Sequence, residues 1–169
     1  TKDFKKAIEF FKKSLDLQPD DSQTQLDLAN ALLLAGEYAQ AKQLGLALLS
    51  RLKITDRAAV SLYTLMGNIA LGTAKWADAV EAFAKTLEVN KNYSPAYIGM
   101  GEGYNQLELF EESVAALKKA IAIDPGHGHA LFSLGKVLLK AAGKIGNNET
   151  QNLLDSIYYS QKHMALGGP

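Results

Sequence analysis

Apolar residues recur along the chain at steps of three and four, the spacing that puts them on one face of a helix. The stretch "AIEFFKKSLDLQPDD" (7–21) runs this way and stops at Pro19. "SVAALKKAIAIDPGH" (113–127) repeats the phrase and stops at Pro125, 106 residues further on. Two intermediates lie between them, "YAQAKQLGLALLSRLK" (38–53) and "WADAVEAFAKTLEVNKN" (76–92). A second phrase alternates with the first: "QLDLANALLLAGEY", "YTLMGNIALGTAKW", "YIGMGEGYNQLELF" and "LFSLGKVLLKAAGK". Each copy carries one small residue at a fixed place, namely Ala29, Gly67, Gly101 and Gly135, at intervals of 38, 34 and 34.

The distance between the prolines is therefore three units of 34 plus four residues. The extra four fall around "SRLKITDRAA" (50–59) and amount to about one helical turn. Either helix 37–53 runs long or its successor begins early. Helix ends fit the same frame: Ser94-Pro95 reads as an N-cap with proline at the first helical position. Gly36 and Gly143 read as C-terminal stops, while Pro19 and Pro125 end helices and let the chain reverse.

Such units resemble tetratricopeptide repeats (TPRs), 34-residue helix–turn–helix modules with a W-L-G-Y…A-F-A-P pattern. Repeat 2 carries Tyr63, Met66, Gly67, Ala79 and Phe83; repeat 3 carries Tyr97, Met100, Gly101, Tyr104, Ala120 and Pro125. Repeat 4 opens with Leu131, Leu134, Gly135 and Leu138. Repeat 1 is weaker, with Leu28, Ala29, Leu32 and Ala41 but Gly45 where a large apolar residue belongs. The match covers about residues 3–142. It implies an all-α, right-handed superhelical solenoid of antiparallel helix pairs, about nine helices in one domain. The expected divisions are 1–19 (second helix of a truncated repeat), 20–54, 55–92, 93–126 and 127–169.

Two antiparallel helices approach closely only where small residues meet, which pairs Gly67 with Ala79 and Gly101 with Ser113 and Ala120. Aromatic residues open every second helix (Phe4, Tyr38, Trp76, Phe110) and are expected to act as spacers between neighbouring repeats. The end departs from the pattern. A last helix is expected from near Asn148, burying Leu153, Leu154, Ile157, Tyr158 and Met164 and leaving Gln151, Asp155, Ser156 and Lys162 polar. A terminal helix with one polar face closes the core of a repeat array.

The resemblance also implies where a partner would lie. In TPR arrays the first helices line a concave groove that holds peptide segments through positions 2, 5, 9, 12 and 13 of each unit. Carried over, repeat 1 offers Gln23, Leu26, Asn30, Leu33 and Leu34, and repeat 2 offers Ser61, Thr64, Asn68, Leu71 and Gly72. Repeat 3 offers Pro95, Ile98, Glu102, Asn105 and Gln106, and repeat 4 offers His129, Phe132, Lys136, Leu139 and Lys140. Position nine thus reads Asn30, Asn68, Glu102, Lys136. An Asn amide can accept from one peptide N–H and donate to one C=O, so two in line can hold a backbone whatever its sequence. The clamp that some TPR proteins use for a terminal carboxylate is absent, because Leu26, Pro95 and Gly99 stand where basic residues would. Leu26, Leu33, Leu71, Ile98 and Phe132 point to apolar partner side chains instead.

Composition narrows the chemistry. Eighteen Lys and Arg balance eighteen Asp and Glu, which argues against phosphate-dominated partners such as nucleic acid and against an anionic membrane. No cysteine is present, so disulfides and thiolate metal sites are excluded. "HGH" (127–129) reads as a solvated turn, since no acidic pair accompanies it. "GMGEG" (99–103) lies inside a helix with no preceding strand, unlike a phosphate loop. The lysine pairs Lys5-Lys6, Lys12-Lys13 and Lys118-Lys119 read as a solvated outer face. With no nucleophile motif, the expectation is a scaffold or adaptor without cofactor, metal or catalytic residues, binding a protein segment. Self-assembly through groove and terminal helix, or a regulatory role within a larger protein, are the alternatives. The chain starts in mid-pattern and reads as a fragment, without a signal peptide or membrane span, for which the cytoplasm is the default compartment.

Overall fold

The computed structural model describes residues 2–51 and 57–142, together with Asp155, Tyr158, Tyr159, Gln161, Lys162, Met164 and Ala165. It divides into two compact units, residues 1–91 and 92–169. All secondary structure among the described residues is helical. Unit 1 holds α1 (Lys2–Leu17), α2 (Ser22–Leu34), α3 (Tyr38–Leu49), α4 (Arg57–Gly72) and α5 (Trp76–Val89). Unit 2 holds α6 (Ser94–Gln106), α7 (Phe110–Ile123) and α8 (Gly128–Ala142). Within each unit every helix packs on the next in sequence, and α2 also meets α4 as α6 meets α8. This is the helix–turn–helix stacking of a TPR solenoid.

Three of the four extra residues between repeats are taken up by an early start. α4 opens ten residues before Gly67, whereas α6 opens seven before Gly101, and α3 stops at Leu49. Gly36 is the expected stop, at φ 79°. Glu37 N–H donates to Leu32 O and Gly36 N–H to Leu33 O, the paired bonds of a Schellman ending. α4 and α6 end the same way without glycine: Ala74 and Glu108 take φ of 56° and 60°. Ser94 does not cap α6. It is buried, and its hydroxyl donates to Ala120 O at 3.2 Å, joining α6 to the end of α7. The chain leaves α1 and α7 two residues before Pro19 and Pro125.

In repeats 2 and 3 the close approach adds a large residue to the expected small ones, and Gly101 and Ser113 do meet as expected. A Cβ on Gly67 would lie 2.7 Å from the Phe83 ring, and one on Gly101 would lie 2.6 Å from Leu117 Cγ. The small residue of the first helix is thus a socket for a large residue of the second, while Ala79 and Ala120 are fully buried beside it. Ser113 adds a bond, donating to Gly101 O at 2.7 Å. In repeat 1, Gly45 leaves the large position empty. The space around it is filled from α4, with Leu65 and Met66 each 3.3 Å from where its Cβ would be. Two of the aromatic spacers reach the following first helix: the Tyr38 ring covers Gly72, and Phe110 is buried with Leu134, Val137 and Leu138 of α8.

Of the terminal helix, Asp155, Tyr158, Tyr159, Gln161, Lys162, Met164 and Ala165 are helical. Tyr159 packs against the α7–α8 core. Tyr158 and Met164, expected to be buried, are each 57% exposed. Tyr158 and Tyr159 are about 100° apart around a helix, so packing through Tyr159 turns its neighbour outward. The expected contributions of Leu153, Leu154 and Ile157, the stop at Gly143, and the segment 52–56 lie outside the described residues.

Gly101→Leu should destabilise the chain by about 1–3 kcal/mol, because the added side chain enters space held by Leu117. Thermal unfolding followed by circular dichroism measures it, and an unchanged midpoint would contradict the socket.

Candidate functional site

The first helices α2 and α4 present one face in unit 1. Asn30 and Asn68 occupy the same repeat position on these two contacting helices, and both are exposed. Neither amide bonds to another group among the described residues, so both retain their full donor and acceptor capacity. Around them, Leu33 and Leu71 are half-buried, and Gln23 is exposed with its amide donating to Asp27 at 3.0 Å. The Thr64 hydroxyl donates to Val60 O at 2.7 Å, which leaves it only as an acceptor for anything else. Asp21 starts this face: its carboxylate accepts from Gln23 N–H at 3.1 Å and from the Thr24 hydroxyl, and those bonds hold its pKa below the ordinary value. It caps α2, a role the sequence pattern did not single out.

Leu26 is only 8% exposed and joins the α1–α2–α3–α4 core. Ile98 is 6% exposed and packs with Ala120 and Ala130. Both were expected to meet a partner's apolar side chains. Neighbouring helices cover them instead, so in this structure they hold the face in place without forming its surface.

Unit 2 presents a second face from α6 and α8. Glu102 on α6 is half-buried, with His129 Nε2 on α8 3.5 Å from its carboxylate. Burial pushes the Glu102 pKa up, and the nearby His129 and Lys136 pull it partly back. One turn on, the Lys136 ammonium lies 5.4 Å from the centre of the exposed Phe132 ring, within cation–π range. Lys140 is exposed beyond it. Asn105 is half-buried, and its Oδ1 is a buried acceptor without a hydrogen-bond partner. The Glu102–His129 pair spans two helices 27 residues apart in sequence, too far for local spacing to reveal. His127 sits at the start of α8, where its Nδ1 accepts from Ala130 N–H at 3.4 Å. The lysine pairs at 5–6, 12–13 and 118–119 are exposed on α1 and α7.

Among the described residues, no three His, Cys, Asp or Glu side chains cluster as metal ligands would. No helix there is long and apolar enough to cross a membrane.

Two family models, both described as "Tetratricopeptide repeat", match residues 1–66 and 64–127. The CTR9 homolog of Arabidopsis thaliana is 24% identical over 150 residues, covering 89% of this chain. The chain spans only 13% of the length of that curated relative. Among solved structures, MamA superposes with a TM-score of 0.75 at 22% identity, over 98% of this chain and 89% of the other. MamA of Desulfovibrio magneticus RS-1, from residue 41 to its end, gives 0.75 at 18% identity over 97% and 85%. YrrB, reported as a TPR protein with an unusual peptide-binding site, gives 0.68 at 19% identity over 98% and 82%. At these identities the structural likeness speaks for the fold alone.

The raised Glu102 pKa has a consequence for stability. Below glutamate's ordinary value of about 4.3, the folded and unfolded chains both hold this proton and the group is neutral in the balance. As pH rises toward the raised folded value, the unfolded chain ionises more readily, and Glu102 works against folding. Glu102→Gln should therefore gain stability relative to the parent as pH rises from acid to neutral. Melting the two proteins in parallel across that range checks it; a difference that is flat or shrinks with pH would contradict the assignment.

Proposed function

The chain belongs to the tetratricopeptide repeat family, a family of protein-interaction modules, and from that premise we propose that it holds an extended segment of a partner protein on its first-helix faces. The observation that carries this reading is the pair Asn30 and Asn68. Both are exposed at the same repeat position of contacting helices, with unused amide groups. A backbone laid across them would find a donor and an acceptor at each, giving register-tolerant binding with little side-chain selectivity. On the unit 1 face selectivity would come from the half-buried neighbours Leu33 and Leu71, and the unit 2 face, taken by itself, offers Phe132, Lys136 and Lys140. Phe132 gives an apolar contact and the lysines favour a carboxylate. Glu102 is engaged by His129, which reduces its pull on a basic partner.

Self-assembly is the second reading, favoured by the exposed Tyr158 and Met164 of the terminal helix. Against it stands Tyr159, whose packing on the α7–α8 core suits a cap.

The test uses a peptide selected by the wild-type chain from a random library. Replacing both Asn30 and Asn68 by Ala should weaken its binding by about 1–3 kcal/mol, the loss of two net hydrogen bonds or slightly more. The helical spectrum should be unchanged, since neither side chain is in the core. Equal affinity by calorimetry would return the two asparagines to ordinary surface residues.

A further inference from the structure

Unit 1 contains a cleft of about 660 Å³ between α3, α4 and α5, and none of the residues assigned to the partner face lines it. Its apolar lining includes Leu46 and Leu49 from α3 and Met66 and Ile69 from α4. Leu46 is 49% exposed there, a large apolar side chain only half covered. The lining runs from Tyr38 to Leu49 along α3, a length of about 16 Å at the helical rise. It runs a similar distance along α5, from Lys75 at its start to Lys85. The cleft is thus an elongated trough, too long for one side chain and about three helical turns from end to end.

The walls decide the conformation of an occupant. The backbone groups of α3, α4 and α5 are bonded within their own helices, so the walls offer side chains and no main-chain ladder. An extended strand would find no ladder there and only scattered side-chain partners, too few to pair each N–H and C=O that it buries. A helix satisfies its own backbone and presents only side chains. Charge decides its flanks. Among the charged lining residues, Lys85 is engaged by Glu81 at 2.7 Å. That leaves Lys42 and Lys75, with no ion pair among the described residues, against the single carboxylate of Asp78.

We propose that this cleft docks one amphipathic helix of a partner protein, its apolar side chains at i, i+3, i+4 and i+7 resting on Leu46, Leu49 and Met66, and its carboxylates facing Lys42 and Lys75. The site lies apart from the Asn30 and Asn68 face, so one chain can hold an extended segment and a helical one at the same time. Met66 connects the cleft to the repeat packing. The same side chain that lines it also fills the space beside Gly45.

The probe is a fluorescently labelled peptide of about four helical turns, with leucines at those spacings and glutamates flanking them, titrated onto the whole chain by anisotropy. A twin carries lysines in place of the glutamates. The acidic peptide should bind saturably and more tightly than its twin, and added salt should weaken it. Leu46→Asp should reduce its affinity by about tenfold or more. Lys42→Glu with Lys75→Glu should reverse the preference between the two peptides. The Asn30→Ala, Asn68→Ala protein should bind as the parent does, which separates this site from the first-helix face. No saturable binding, equal affinity for both peptides, or loss of binding in the asparagine variant but not in Leu46→Asp would each overturn the proposal. Lys42 and Lys75 are exposed, so the lysine variants decide the matter even if Leu46→Asp does not fold.

Discussion

How closely two antiparallel helices can lie depends on what stands between their axes, and in this chain a glycine facing a large side chain sets that distance. Gly67 receives Phe83, and Gly101 receives Leu117. Each socket fixes the first helix of a repeat against the second, and the large residue is then almost wholly buried. The two sockets lie 34 residues apart, the length of one helix pair. In two repeats the aromatic residue that opens the second helix carries the packing onward, Tyr38 against Gly72 and Phe110 against α8. Repeat 1 breaks the rule. With Gly45 at the large position, the contact there is made from outside the repeat by Leu65 and Met66, while α3 still packs on α2 before it.

That exception bears on function. Where Phe83 and Leu117 look inward, Met66 fills from α4 and remains at the surface of the trough beside α3 and α5. The first-helix faces show the opposite logic. Leu26, Leu28 and Ala29 are drawn into the core, and what remains outward on α2 mixes polar residues such as Gln23 and Asn30 with the exposed Leu34 at its end. A repeat array thus separates its tasks by helix face: one stripe packs, the next is free to bind.

Periodicity made the helix pairs readable, since a pattern repeated in four registers is hard to produce by chance. The early start of α4 was one of two options the four extra residues allowed, and a count alone could not choose between them. The pairing of Gly101 with Ser113 was legible and is made, but the large residue four positions after Ala79 and Ser113, which is the one aimed at the glycine, was not foreseen. Leu26 and Ile98 sit at positions that face a groove in an isolated helix. Their burial depends on where α1 and α7 lie, which no single helical pattern states. Tyr158 and Tyr159 exchanged places for a similar reason: one residue of phase decides which of them meets α8. The trough needs three helices to exist, and its residues are scattered from 38 to 85, so no local motif announced it. Asn30 and Asn68, by contrast, were legible as soon as the repeats were aligned, and both are exposed as that alignment requires.

The central claim is that partner segments lie across the first helices while the small-on-large sockets stay closed. Amide hydrogen exchange of the chain with and without a library-selected extended peptide tests it most directly. Added protection should fall on α2 and α4 around Asn30 and Asn68, with α1 unchanged and the deeply buried segments around Phe83 and Leu117 slow in both states. Protection gathered on the lysine-bearing face of α1, or faster exchange around Phe83 and Leu117 on binding, would contradict it.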